Sequence, residues 1–352
     1  MTQTDHSSGA AGASPRPEPG SRQAGPDTAP RALAGTVPEQ GGPAGPTGDP
    51  QDLLALLRAK SIEMRLANLR EVEVSGSGHY GPSFSCMEIL VCLYYAFLRV
   101  RGDEPRWAGR DRFVMGKGHA CSALYPILAD LGFFPAAELD TFTRLGSILG
   151  DHPDMKKVPG VDFSSGSLGH GLSIGTGMAD GSRLQGRDSR VVVLLGDGEL
   201  NEGQIWEAAG YAAHRRLSNL LAVVDANKVS VDGFTADLLD YEPLEAKFAA
   251  FGWTTERIDG HDHTALLAAL RRFAARSAAP DARPTALIAD TVAGKGIGFI
   301  EGMAEWHVGY LGGTDLTRAV RSIETMFDGT EPGGAAGPAA HATDVLDAEG
   351  AV

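Results

Sequence analysis

The sequence predicts an α/β fold in which a doubly wound parallel sheet carries helices on both faces. Two observations carry that expectation. The first is a set of short, nearly continuous apolar runs, VVVLL (191–195), LLAVV (220–224) and TALIAD (285–290), separated by stretches of helical character. Runs that are five or six residues long and β-branched or leucine-rich are what strands buried on both faces look like. The second is the glycine turn Gly196-Asp197-Gly198, which follows the first run directly and opens into a helix expected from about Gln204 to Arg216. Parallel sheets of this kind bind ligands at the carboxyl ends of their strands, so the residues just after VVVLL and LLAVV are where chemistry is to be sought.

Taken in chain order, residues 1–48 are rich in Pro, Gly, Ala, Ser and Thr and nearly devoid of large apolar side chains. Such a segment cannot bury enough surface to offset its ordering entropy and reads as a disordered tail, as does 329–352. The domain between them is placed at 49–328. It opens with LLALLRAKSIEMRLANLREV, whose apolar residues recur at three- and four-residue steps and predict a helix. SCMEILVCLYYAFL is apolar nearly all round and predicts a second, buried helix, with Cys86 and Cys92 as core residues. Gly260-His261-Asp262 reads as a structural turn leading into a helix cap.

The bulk properties narrow the function. A formal net charge of −14 over 352 residues argues against a nucleic-acid groove or an anionic membrane surface as partner. No apolar run is long enough to span a bilayer, and the N-terminus lacks the basic-then-apolar pattern of a secretory signal. Three cysteines without a CxxC spacing suit a reduced, cytoplasmic compartment.

In the turn after VVVLL, glycines allow backbone N–H groups to approach a phosphate at a helix N-terminus. Asp197 departs from an ordinary phosphate loop, because a carboxylate facing a diphosphate is repulsive unless a divalent cation lies between them. Asp197 therefore implies a bridging hard ion with oxygen ligands, Mg²⁺ first and Ca²⁺ or Mn²⁺ as alternatives. LLAVV ends in Asp225-Ala226-Asn227-Lys228-Val229, so the Asn227 amide oxygen and the Val229 carbonyl are the expected companion ligands from the neighbouring strand tip.

GDG at one strand end with Asn at the next resembles the thiamine-diphosphate fingerprint of transketolases, and the resemblance extends over roughly residues 55 to 315. It includes SGHYGPSFSCMEIL around His79, RDRFVMGKGHACSALYPIL around His119, GDHPDMKKVPGVDFSSGSLGHGLSIGTGMA around His152, and VAGKGIGFIEGMAEWHVG around His307. The resemblance implies the diphosphate-binding domain of the thiamine-diphosphate fold. It implies that His79, His119, His152 and His307 line the cavity above the thiazolium ring, with His79 and His307 handling protons and substrate. His119 would sit against the cofactor and His152 would contact the donor sugar. Gly166 and Leu168 would lie along the cofactor with Gly198, and Lys295 would reach the diphosphate. His170 stands where the family commonly has Gln. Glu202 and Glu207 match carboxylates that face a partner subunit.

The activating glutamate and the aromatic pocket for the aminopyrimidine belong, in this family, to a further domain that the sequence does not contain. The resemblance thus implies a C-terminal, pyrimidine-binding partner subunit in an α₂β₂ assembly. The reaction implied is transfer of a two-carbon ketol unit from a ketose or 2-oxo donor to an aldehyde acceptor. Two other readings stand beside it: the α subunit of a 2-oxo-acid dehydrogenase, and a non-catalytic binding partner with the same fold.

Overall fold

The computed structural model describes residues 49–279 and 281–328. The two terminal segments read as disordered tails lie outside the described residues.

Helix α1 (Pro50–Ser75) starts where the Asp49 side chain accepts the Gln51 N–H at 2.9 Å, with proline in the first helical turn. It stops at Gly76, whose left-handed φ of 76° lets its N–H close back onto the Val72 carbonyl. The apolar stretch expected to form one helix, residues 85–98, carries an α-helix over Met87–Cys92 and then passes into a π-helical turn. Helix α2 (Tyr80–Ser85) and helix α3 (Met87–Cys92) meet at Cys86, and a π-helical turn at Leu93–Phe97 ends the run. Both short helices are buried on all sides, so packing rather than helix length holds them in place. The remaining helices are α4 (Cys121–Asp130), α5 (His170–Leu184), α6 (Gly203–His214), α7 (Thr235–Leu238), α8 (Leu244–Ala250), α9 (His263–Ser277) and α10 (Gly313–Glu324).

The strands are β1 (Arg112–Met115), β2 (Val191–Gly196), β3 (Leu220–Ala226), β4 (Val229–Ser230), β5 (Gly233–Phe234), β6 (Thr254–Asp259) and β7 (Thr285–Asp290). Five of them form one parallel sheet in the order β1-β2-β3-β7-β6, and β4 and β5 form a small antiparallel pair beside it. The three apolar runs are thus β2, β3 and β7, the centre of the sheet. Alternate residues enter opposite cores: Val192, Leu194, Leu221 and Val223 pack with α3, α4 and α9, whereas Val191, Val193, Leu220 and Ala222 pack with α5, α6 and α8. Each such valine or leucine contributes about 1.5–3 kcal/mol by leaving water, which is why a continuous apolar run is needed only in central strands. The sequence pattern did not reveal the two edge strands. β1 is only four residues long, and β6, TTERID, is polar and half-exposed.

The register places chemistry at one end. Gly196 pairs with Asp225, and Ala226 pairs with Asp290, so the loops leaving β2 and β3 emerge side by side.

Candidate active site at the carboxyl ends of β2 and β3

The two neighbouring strand tips are tied together through Asp197. Its Oδ1 accepts the Gly198 N–H at 2.9 Å and its Oδ2 accepts the Lys228 N–H at 2.7 Å. Lys228 adopts a left-handed φ of 66°, the bend that turns the loop after β3 toward Asp197. Asn227 is buried, its Oδ1 accepting the Val229 N–H at 3.0 Å while its Nδ2 donates to Ser85 Oγ and the Asp225 carboxylate. Gly198 opens a short 3₁₀ turn, Gly198–Asn201, before α6. Burial, and then the nearby Asp225 carboxylate, push the Asp197 carboxyl up to about 7. Among the described residues Asp197 forms no ion pair with a lysine, arginine or histidine.

Three of the expected histidines converge. The ring centroids of His79 and His119 lie 5.2 Å apart, those of His119 and His307 5.3 Å, and those of His79 and His307 6.0 Å. They arrive from separate places: the residue before α2, the turn before α4, and the segment before α10. An antiparallel bridge between Gly78 and Gly309 clamps the first and third of these segments together. Gly81 sits under the His307 backbone, where a Cβ would come within 3.3 Å of the His307 Cα. Burial, then Lys117 and the neighbouring imidazoles, lower His119 to about 2; burial, then His79 and Lys117, lower His307 to about 4. Both rings are therefore neutral at pH 7, each offering one N–H donor and one acceptor nitrogen. His152 is exposed at the lip of the cluster, its Cδ2 3.8 Å from where a Gly166 Cβ would stand.

Several groups that organise this end of the sheet were not read from the sequence. Asp151 places Oδ1 3.6 Å from His79 Nδ1. Beneath the strand tips, the wholly buried Asp225 carboxylate pairs with Lys117 and accepts from the hydroxyls of Ser85 and Thr291. Lys117 also donates to the Pro82 carbonyl at 2.6 Å. Burial alone would lower the Lys117 ammonium, but Asp225 outweighs it and raises it. Glu199, also buried, accepts N–H bonds from Gly169 at 3.0 Å and Gly196 at 3.1 Å, joining the β2 turn to the start of α5.

The family profile described as transketolase, thiamine diphosphate binding domain, matches residues 58–328. The chain belongs to the transketolase family. It is 41% identical over 251 residues to the 6-deoxy-6-sulfo-D-fructose transketolase subunit of Clostridium sp. (strain MSTE9), covering 71% of this chain and 90% of that protein. It is 37% identical over 275 residues to an apulose-4-phosphate transketolase subunit of Phocaeicola vulgatus, covering 78% and 95% of the two. Among solved structures it matches transketolase from Campylobacter jejuni with a TM-score of 0.72 and 28% identity, over 77% of this chain but only 43% of that one. The chain thus spans under half of the solved transketolases and nearly all of the proteins named as transketolase subunits. It is a transketolase-like transferase with a thiamine-diphosphate-binding domain of the parallel α/β type.

Within this transketolase domain the remaining expected residues fall as follows. Gly166 is exposed and Leu168 half-buried on the segment before α5. Gly169, with a left-handed φ of 84°, leaves no room for a Cβ, which would come within 2.6 Å of Glu202 Cβ. Gly171 packs closely on the end of β1, where a Cβ would stand 2.8 Å from Gly116 Cα. His170 shares Gln204 with Ser173, the Gln204 Nε2 lying 3.3 Å from the His170 ring nitrogen. Lys295 directs its ammonium to Glu301, 3.6 Å away, and lends its carbonyl to Arg65. Glu202 and Glu207 are exposed. The GHD turn lies between β6 and α9, with Asp262 capping α9 through the Thr264 N–H. Its His261 plays a structural part, because Nε2 accepts the Val292 N–H at 2.9 Å and Nδ1 therefore carries the proton it donates to Glu88, also at 2.9 Å. Cys86 and Cys92 are buried and unpaired, as is Cys121. Among the described residues no helix is long and apolar enough to cross a membrane.

Proposed function

We propose that this chain is the diphosphate-binding subunit of a two-chain transketolase, moving a two-carbon ketol unit from a ketose or 2-oxo donor to an aldehyde acceptor. The observation that carries this reading is the convergence of three imidazoles above the strand tips that Asp197 joins. The domain would occupy residues 49–328. The catalytic set would be His79, His119, His152 and His307.

The site fits a cation-bridged diphosphate on its own chemistry. Among the described residues Asp197 forms no ion pair, and its companions in the expected ligand set are an amide and a backbone carbonyl, so a divalent ion is the partner that would hold its carboxylate in the charged form. An all-oxygen set of Asp197, Asn227 and Val229 suits Mg²⁺, with Ca²⁺ or Mn²⁺ as substitutes. A Cβ at Gly198 would meet Ser230 only at 3.6 Å, ordinary contact, so protein packing does not demand glycine there and close approach of a phosphate supplies the reason. Gly166 and Leu168 would lie along the cofactor, His119 and His307 against it, and Lys295 would turn from Glu301 to the diphosphate. When bound, thiamine diphosphate supplies the nucleophilic carbon that carries the ketol unit.

The chain's own residues do the rest. Neutral His119 and His307 hydrogen-bond substrate hydroxyls and the carbonyl oxygen without adding charge. His79 holds or moves the hydroxyl proton, with the Asp151 carboxylate 3.6 Å from its Nδ1, outside hydrogen-bond distance but near enough to act through its charge. His152 meets the donor sugar at the lip. Replacing Asp151 by Asn is expected to lower kcat/KM about tenfold or more while leaving thiamine-diphosphate affinity unchanged. Steady-state kinetics with calorimetry on the same protein checks this, and an unchanged kcat/KM would remove Asp151 from the scheme.

The proposal includes a C-terminal partner subunit that supplies the activating glutamate, in an α₂β₂ assembly in the cytoplasm. The names of the relatives, which are transketolase subunits, support it, as do the three free thiols. The purified chain alone is expected to show no ketol-transfer turnover, and adding a pyrimidine-binding subunit should restore it, with light scattering reporting a heterotetramer. Sustained turnover by the isolated chain would overturn the two-chain reading.

A further inference from the structure

Two buried polar side chains on α1 have no protein partner. Asn68 and Glu71 are 0% and 1% exposed, and all four of their side-chain polar atoms lack a hydrogen bond. Standing three residues apart, they share one face of the helix, with Cβ atoms about 5–6 Å from each other. No lysine or arginine pairs with Glu71 among the described residues. Buried polar atoms are satisfied in folded proteins by protein or by ordered water, and an isolated buried carboxylate does not remain charged when it can take up a proton.

The surroundings locate this pair. The Gly150 carbonyl accepts from Tyr125 Oη at 2.9 Å and from Cys121 Sγ at 3.6 Å. Those two residues feel the fields of both Glu71 and Asp151, so Glu71 lies near the part of α4 that the loop carrying Asp151 also approaches. Burial pushes the Glu71 carboxyl well above the usual carboxylate range. The titratable groups that interact with it are Cys121 and Tyr125 from α4, both neutral, so neither stabilises an ionised Glu71.

We propose that Asn68 and Glu71 form an internal hydrated site that holds ordered water and one exchangeable proton, carried by Glu71 as a neutral acid. One carboxylic O–H, two amide N–H groups and three acceptor oxygens then find partners in water, which needs two to four polar contacts of this kind. A monovalent cation is the alternative occupant, and it differs in requiring Glu71 to be ionised. The proposal is independent of the reaction assigned to the histidines.

Glu71→Gln preserves shape and removes the proton, so it separates the two cases without opening a cavity. The linkage sign is set by a folded pKa raised above the unfolded one. The stability this group contributes is complete below the unfolded carboxylate pKa of about 4.3 and is lost as pH rises through the folded value. Glu71→Gln should therefore raise Tm relative to the natural protein by about 2–4 °C or more at pH 8, with the gap closing toward pH 4–5. Infrared difference spectra at pH 7 should show a protonated-acid carbonyl band in the natural protein that Glu71→Gln removes. A crystal structure of the natural protein should show water within hydrogen-bond distance of both side chains. Absence of the acid band, a potassium-dependent Tm, a pH-independent Tm gap, or a dry site would each overturn the proposal.

Discussion

Replacing Asp197 by alanine is expected to weaken metal-dependent thiamine-diphosphate binding by about two to three orders of magnitude. Asp197 is the only charged member of the proposed ligand set, so its loss leaves a divalent ion and a diphosphate with an amide and a carbonyl. Removing one partner of a desolvated charge pair costs about 3–5 kcal/mol, and each 1.4 kcal/mol is about tenfold in affinity. Asn227→Ala should do less, about 10–100-fold, because its oxygen is neutral; it also frees Val229, Ser85 and Asp225 from the bonds that shape the loop. Calorimetric titration of thiamine diphosphate in the presence of Mg²⁺ reads both. Full metal-dependent affinity in Asp197→Ala would end the cation-bridge assignment.

The second large effect is on stability. Arg65 is completely buried and grips Glu88 with two bonds of 2.5 and 2.8 Å, while also donating to the Phe84 carbonyl at 2.8 Å and the Lys295 carbonyl at 3.0 Å. Glu88 also accepts a hydrogen bond from His261 Nδ1 on the oxygen that Arg65 Nη2 reaches, so one network joins α1, α3, the turn before α9 and the loop after β7. Glu88→Ala leaves the Arg65 cation buried without its counter-charge and is expected to destabilise the fold by about 3–5 kcal/mol in urea unfolding. Burial by itself would raise the Glu88 carboxyl, but Arg65 and His261 outweigh it and hold it well below the usual range. Its contribution is therefore present above the unfolded pKa of about 4.3 and lost as pH falls through the folded value. The gap between the natural protein and Glu88→Gln should shrink under acid conditions. A loss below about 1 kcal/mol for Glu88→Ala would mean that water already reaches Arg65.

What could be read in advance followed local rules. A strand buried on both faces must be apolar along its length, so β2, β3 and β7 announced themselves, and residues after such strands stand at the ligand-binding edge whatever the rest of the fold. The placement of Asp197 and Asn227 just beyond adjacent strand tips was legible for that reason. The edge strands were not: β6 is half-exposed, so nothing forces its side chains to be apolar. The apolar stretch 85–98 concealed the change from α-helix to π-helical turn after Cys92, because packing on all sides removes the periodicity that marks helix limits. Glu88 lay hidden in the same stretch, one charge in a run that composition reads as core. The roles of Lys117, Asp151 and Arg65 depend on partners far away in the chain, and a charge on its own carries no mark of where its counter-charge will be found.

The chain's own order of residues determined the layered α/β architecture and the two strand tips, since backbone pairing and solvent exclusion act over a few residues at a time. Only the folded molecule decided how closely the histidines approach, which carboxylates lose their water, and which of these find a cation or a proton. Those outcomes depend on Coulomb and desolvation energies, which are set by distance and burial in space rather than by position along the sequence.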